Sequence, residues 1–354
     1  MKRILKVSIG LGVAALLLWL FFGGTDPETV WEALSEAKVG WLLGVLVFTL
    51  LHYVVRAWRW RLLLAPLRRR VPMRSLVEAI LGGYAVSFLV PGRLGEVYRP
   101  VRLARQEGLS LAGALSTVAL DRLLDALALA LLVLFFLLTA PVGGLSSLPE
   151  VHARSLRHAG LLTGVGLAVV MPGIWLLVRF RRKLLGTPGA ERTGWRKHLD
   201  PFLDGLSGLQ RPRRAIRAVL SSILIWMVLS SQAWCGLKAF SIDLPFSAAF
   251  ILIAFLALGI AVPLPAGVGG FHYLGRFCLV ELFGVAAGPA VTAILILHFL
   301  AVLPAMILGG WILGREGASL AEISSWVKKK RVPSVPAAGQ QKTGPQVGLS
   351  RGSS

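Results

Sequence analysis

Two interruptions rich in proline and glycine govern what this chain can become: Pro91-Gly92-Arg93-Leu94-Gly95-Glu96 and, far downstream, Pro263-Leu264-Pro265-Ala266-Gly267-Val268-Gly269-Gly270. Each follows an apolar run directly, in a sequence whose other apolar runs suit helices that cross a bilayer. Broken helix at membrane depth frees amide and carbonyl groups that lipid cannot satisfy, so it persists only where protein or a wet cavity surrounds it. The two breaks therefore mark an internal site.

The solvent of this chain is lipid, since 55% of its residues are hydrophobic, 16% are charged and the mean hydropathy is +0.72. A formal charge of +21 would elsewhere suggest nucleic acid. Here the cations gather at the ends of apolar runs, where anionic headgroups and the positive-inside bias account for them, and no nucleic acid partner is expected. Cys235 and Cys278 lie in apolar surroundings without metal-ligand spacing, so they read as small buried residues.

Lys2, Arg3 and Lys6 precede a first run to Phe22, read as a retained span because no cleavage site follows it. The acidic stretch 25–39, with Trp31, belongs outside. A second run, Gly40 to Val55, leads into Arg56-Ala57-Trp58-Arg59-Trp60-Arg61 and onward to Arg74 with no acid, the mark of an inner loop. Arg56, Arg59 and Trp60 read there as a basic and aromatic anchor at headgroup level, with a lipid phosphate as the competing ligand. Residues 75–105 start and end among arginines, so they cannot cross once; they descend as a short helix, stop at Pro91 and Gly92, and return carrying Glu96 and Arg99.

Leu111 to Thr139 is apolar except for Asp121, Arg122 and Asp125, ionisable residues that are costly inside a span. Asp121 and Asp125 share a helix face, and Arg122 can pair with Asp125; the set is either a self-neutralised structural cluster or part of a site that meets a ligand phosphate. Leu161 to Val178 returns inward, and the loop 179–217 holds eleven Lys or Arg against Glu191, Asp200 and Asp204. Ile216 to Lys238 and Pro289 to Leu313 are the last spans. Between them, residues 246–285 begin and end outside, a second re-entrant segment from the opposite face. Lys328-Lys329-Lys330-Arg331 puts the carboxyl terminus inside, and the polar chain beyond reads as disordered.

The expected fold is an all-α polytopic membrane protein of about six spanning helices plus two oppositely oriented re-entrant hairpins. Residues 1–314 form one transmembrane domain and 315–354 a basic tail. In both halves a short helix meets Pro-x-x-x-Gly, Pro91 to Gly95 and Pro265 to Gly269, and a later span carries Arg122 in one half and His298 in the other. Opposed repeats of this kind bind cargo near the midplane, where half-helix ends converge.

The ordered set Arg56-x-x-Arg59-Trp60, Pro91-Gly92-Arg93-Leu94-Gly95-Glu96 with Arg99, Asp121-Arg122-Leu123-Leu124-Asp125 and Pro265-x-Gly267-Val268-Gly269 resembles the transmembrane region of lysylphosphatidylglycerol synthases. The resemblance covers residues 1 to about 315 and implies a polytopic inner-membrane domain with two re-entrant elements that moves, or helps move, an anionic or modified lipid between leaflets; the basic flanks put both termini on the cytoplasmic side. Asp121 stands where the family often has Glu, and Gly270-Phe271-His272 stands where a carboxylate often follows the glycines. Only a polar stretch follows Leu313, so tRNA use and lysyl transfer are not carried over. Stand-alone relatives in hopanoid and polyprenyl-lipid pathways extend the expected cargo to lipids of those kinds.

In a translocator, Arg93, Arg99 and Arg122, with Arg56 and Arg59, would meet a headgroup phosphate, while Glu96, Asp121 and Asp125 orient the guanidiniums or take a proton; His272 and His298 are the polar residues of the second half. The alternative is a membrane-embedded lipid-modifying transferase using those carboxylates as acid and base, or an accessory subunit of one. No metal-ligand cluster, nucleotide loop or activated nucleophile is found, and no cofactor or metal is expected. Expected partners are membrane lipids with anionic headgroups and a lipid-modifying enzyme or glycosyltransferase; a homo-oligomer is compatible with this reading.

Overall fold

A computed structural model describes residues 2–68, 70–90, 94–139, 212–261 and 264–317, with His158, Leu162, Gly166 and Gly173 singly. The regular structure of these residues is all helix, without a strand among them. In chain order the helices are α1 (Lys2–Phe22), α2 (Pro27–Ser35), α3 (Val39–Leu64), α4 (Met73–Leu89), α5 (Gly95–Glu107), α6 (Leu111–Thr139), α7 (Pro212–Ala239), α8 (Ala248–Ala261), α9 (Gly270–Phe277) and α10 (Ala287–Arg315). A 3-10 turn, Pro265–Gly267, precedes α9, and a wider turn, Cys278–Leu282, extends it. Among the described residues α3, α7 and α10 are long and apolar enough to cross a bilayer. α6 has the length, but Asp121, Arg122 and Asp125 interrupt its apolar character. The protein is an all-α polytopic membrane protein.

The helix ends follow from local chemistry. Pro72 precedes α4, where its missing N–H costs no helical bond. Gly108, at φ 64°, ends α5 in the left-handed conformation that glycine adopts without strain. The second break turns through three left-handed residues, Ala266, Gly267 and Gly269, two of them glycine.

Each break closes a tight helical hairpin, and both hairpins are sealed in the same way. A Cβ on Gly95 would run into the Gly83 carbonyl, and one on Gly259 would run into the Gly270 carbonyl. Two glycines facing each other let α4 touch α5, and α8 touch α9, backbone to backbone.

α10 is the rail on which both hairpins lie. Near its start Gly288 packs on Thr29 of α2; then Ile294 meets Gly275, and His298 meets Phe271 and His272 at the amino-terminal end of α9. Farther along, Gly309 abuts the Leu81 carbonyl and Ala85 of α4, and Arg315 pairs with Glu78 at 3.1 Å. Moving along α10 from either end thus runs from a hairpin's base toward its break. The two hairpins approach from opposite ends, and α4 also packs on the Pro265–Gly267 turn, so their tips meet near the middle of the rail. Pro304, inside α10, lies between the two contact zones.

One sequence expectation is corrected. Arg56 to Arg61 do not begin a loop: α3 continues through them to Leu64. The reason is a buried stripe at helical spacing, His52, Tyr53, Arg56, Arg59, Trp60, Leu63 and Leu64, which keeps that face in protein past the last purely apolar turn. The span expected at Leu161–Val178, most of the 179–217 loop and the tail from residue 318 lie outside the described residues.

Candidate functional site

Arg56 and Arg59 on α3 project into the protein against Asp121 and Asp125 on α6. Arg59 is fully buried; its guanidinium reaches Asp121 Oδ1 at 2.6 Å and Asp125 Oδ1 at 2.7 Å, and it donates to Ser222 Oγ of α7 at 3.0 Å. Arg56 donates to Asp125 Oδ2, and its other terminal nitrogen donates to the Tyr84 hydroxyl of α4 at 2.6 Å. The four-residue spacing of Asp121 and Asp125 makes this possible, since it puts both carboxylates on the helix face that meets α3. Trp60, also fully buried, donates its indole N–H to Thr117 at 3.0 Å. The reading of Arg56, Arg59 and Trp60 as a headgroup-level anchor is therefore corrected: they are interior residues, while Trp58 is the exposed one.

Arg99 comes to the same place from α5. Its side chain is only 3% exposed, yet its ion pairs are long, 3.7 Å to Asp121 Oδ2 and 3.9 Å to Glu96 Oε2. A charge-assisted hydrogen bond would be about 2.7–2.9 Å. Nε and Nη2 of Arg99 have no hydrogen-bond partner among the described residues. The guanidinium lies over the Trp60 ring, 4.8 Å from its centroid, which offsets part of the burial cost. Arg122 stands at the rim, its side chain 42% exposed, 3.1 Å from Asp121, 3.5 Å from Asp125 and 3.5 Å from Glu96. Glu96 and Arg122 are the partly exposed members of the cluster; Arg99, Arg59 and Asp121 are buried beneath them.

Among the described residues charge is not balanced in this cluster: four guanidiniums, Arg56, Arg59, Arg99 and Arg122, face three carboxylates, Glu96, Asp121 and Asp125. Among those residues one positive charge is left over. A buried excess cation with unfilled donors is stabilised by an anion, and the planar guanidinium fork suits a phosphate oxygen pair.

The structure thus unites six of the residues singled out from sequence: Arg56, Arg59, Glu96, Arg99, Asp121 and Asp125, with Arg122 at the rim as a seventh. Arg93, Pro91 and Gly92 lie outside the described residues. Gly95 and Gly270 serve the hairpin seals, and Gly267 and Gly269 supply the left-handed turn; Pro265 starts that turn. His272 and His298 sit together at the other hairpin. Sequence reasoning missed Tyr84, Ser222 and His52, whose buried Nε2 has no hydrogen-bond partner among the described residues. Arg56, Arg59 and Trp60 carried a usable signal, their 3,4 spacing in phase with the apolar stripe; Tyr84 and Ser222 carried none.

A second ionic group ties the base of the first hairpin to the end of α10. Glu78 accepts from Arg74 at 2.9 Å, Arg102 at 2.7 Å and Arg315 at 3.1 Å, and Arg102 and the Tyr98 hydroxyl both donate to Glu316. Every carboxylate here is met by cations, so the group works as a latch rather than as a ligand site.

Residues 7–309 match the family model described as the lysylphosphatidylglycerol synthase TM region. The chain belongs to this family. The match spans both hairpins and the whole cluster, and it makes the protein a multi-pass membrane protein of a lipid-related family. Comparison with individually curated proteins gives no match.

Proposed function

We propose that this member of the lysylphosphatidylglycerol synthase transmembrane-region family translocates an anionic or modified lipid between the leaflets of the inner membrane, with both termini cytoplasmic. The hairpins are re-entrant from opposite faces, as in an inverted repeat, and the headgroup passes where their tips meet. The observation that carries this reading is Arg99: buried, stacked on Trp60 and, among the described residues, held only by long ion pairs in a cluster with one more cation than carboxylates. A phosphodiester arriving past Arg122 and Glu96 supplies the missing acceptors. Arg122 meets it first because it is the exposed cation; Arg99 receives it; Arg56 and Arg59, whose terminal nitrogens are held by Asp125, Tyr84, Asp121 and Ser222, stay in place beneath it.

The test is leaflet exposure of a fluorescent phosphatidylglycerol in proteoliposomes, read by quenching from outside. Wild type raises exchange above that of protein-free vesicles; Arg122→Ala and Arg99→Gln return it to that background. Exchange by the variants at the wild-type rate, or none by the wild type, overturns the reading. Mass spectrometry of the same lipids distinguishes the transferase alternative, because a translocator leaves the lipid mass unchanged.

A further inference from the structure

His272 of α9 and His298 of α10 stack face to face, ring centroids 4.6 Å apart and planes 12° from parallel. Phe271 stands edge-on to His298 at 4.7 Å and Phe21 of α1 edge-on to His272 at 5.1 Å. The Gly269 N–H points at His272 Nδ1 from 3.4 Å, so that nitrogen is an acceptor and the ring hydrogen belongs on Nε2. Nδ1 of His298 has no hydrogen-bond partner among the described residues, although the side chain is buried. Phenyl rings would fill the same space without stranding a polar nitrogen.

Among the described residues the surroundings offer no counter-charge. The described residues of α1 at this point are Ala14, Leu17 and Phe21, and α8 has no titratable residue. On α9, Arg276 is turned away to the Gly23 carbonyl at 3.1 Å, and Tyr273 leans on Phe277. From α3, one turn farther along α10, Tyr53 donates to the Ala301 carbonyl at 3.0 Å; behind it stand His52 and Arg56, and from α4 Tyr84. Neither imidazole forms an ion pair with a carboxylate among the described residues.

We propose that His272 and His298 together bind one proton, and that binding it parts the second hairpin from α10. Two protons would put like charges face to face, so the pair takes one. An imidazolium boxed in by Phe21 and Phe271 is a buried, unpaired charge, and separating α9 from α10 lets water or an anion reach it. The Gly259 and Gly270 seal keeps the hairpin whole as it moves, and Pro304, six residues past His298, lacks a helical hydrogen bond and gives α10 a place to flex. The Ala301, Tyr53, Tyr84 and Arg56 contacts lead from this pair to the cation cluster. On the translocation reading, on which only this last consequence rests, the proton is the coupling ion for lipid movement.

Hydrogen exchange of the purified full chain in nanodiscs, followed by mass spectrometry over 264–277 and 292–303 and corrected for intrinsic rates, tests the site without any lipid assay. Between about pH 8 and about pH 4.5, the range in which imidazoles change charge, opening should rise by up to about tenfold per pH unit, the slope of one proton. In the double variant His272→Gln with His298→Gln that slope should vanish, while protection of both segments at the higher pH shows that the variant folds. A wild type with no pH response, or a variant with the same response, overturns the proposal. A wild-type slope lost in the variant, together with lipid exchange at background in both, upholds the proton site and instead sinks the translocation reading.

Discussion

In the first hairpin Gly83 and Gly95 bring α4 and α5 into backbone contact; in the second, Gly259 and Gly270 do the same for α8 and α9. The furnishing differs. Beside the first seal lie Arg99 and Glu96, part of a cluster of seven ionised groups; beside the second lie His272, His298 and two phenylalanines. Among the described residues one architecture therefore holds four guanidiniums against three carboxylates at one tip and two stacked imidazoles at the other. Shape is set by the glycines, and chemistry by what surrounds them.

The largest expected effect sharpens that contrast. Asp121→Ala strips the buried guanidinium of Arg59 of one of its two carboxylates and Arg99 of its closest one, and unfolding in detergent should show a loss of about 3–5 kcal/mol. His298→Leu strands no charge, so it should cost less than about 1.5 kcal/mol; equal losses would break the comparison. Next come the seals. Gly95→Ala and Gly259→Ala each push a methyl into a facing carbonyl, and both should cost about 1–3 kcal/mol or more in the same measurement. A large loss in only one would show that the hairpins are not built alike.

Smaller effects follow at the ends. Tyr98→Phe removes one hydrogen bond to Glu316 from the latch that, among the described residues, only the first hairpin has, and should cost about 1 kcal/mol in a thermal melt. Arg122→Ala, at the exposed rim, should change stability by less than about 1 kcal/mol, while leaflet exchange of phosphatidylglycerol falls to background. Lys238→Ala, in the last turn of α7, should leave stability at neutral pH unchanged within error, because its partner Asp243 is exposed to water. The hydrogen bond and charge of Lys238 hold the Asp243 carboxyl below its ordinary range; any contribution is present at neutral pH and disappears as the pH falls into the acid range. A melt repeated across that range checks the sign.

Hydropathy and punctuation made the elements legible. The run from Leu111 to Thr139 is α6 residue for residue, and the helices around Pro91 and Pro265 start and stop close to where proline and glycine say they should. The ionised residues of α6 announced themselves because such groups are costly in an apolar run. Arg56 and Arg59 were harder, since arginines at the end of a span read as an interfacial flank unless the helix is known to continue into protein. Tyr84, Ser222 and His52 left no trace, because hydrogen-bonding side chains on separate helices have no fixed spacing in the chain.

The sequence alone determined that this chain lives in a membrane, that two of its helices are broken, and that charge is held inside. Those are properties of single segments, fixed by transfer energy and backbone chemistry. Only the tertiary structure decided that α10 carries both hairpins tip to tip, that four guanidiniums outnumber their carboxylates at one tip, and that two imidazoles stack at the other. Such facts depend on distances between residues up to about two hundred and fifty positions apart, and only packing of one helix against another sets those distances.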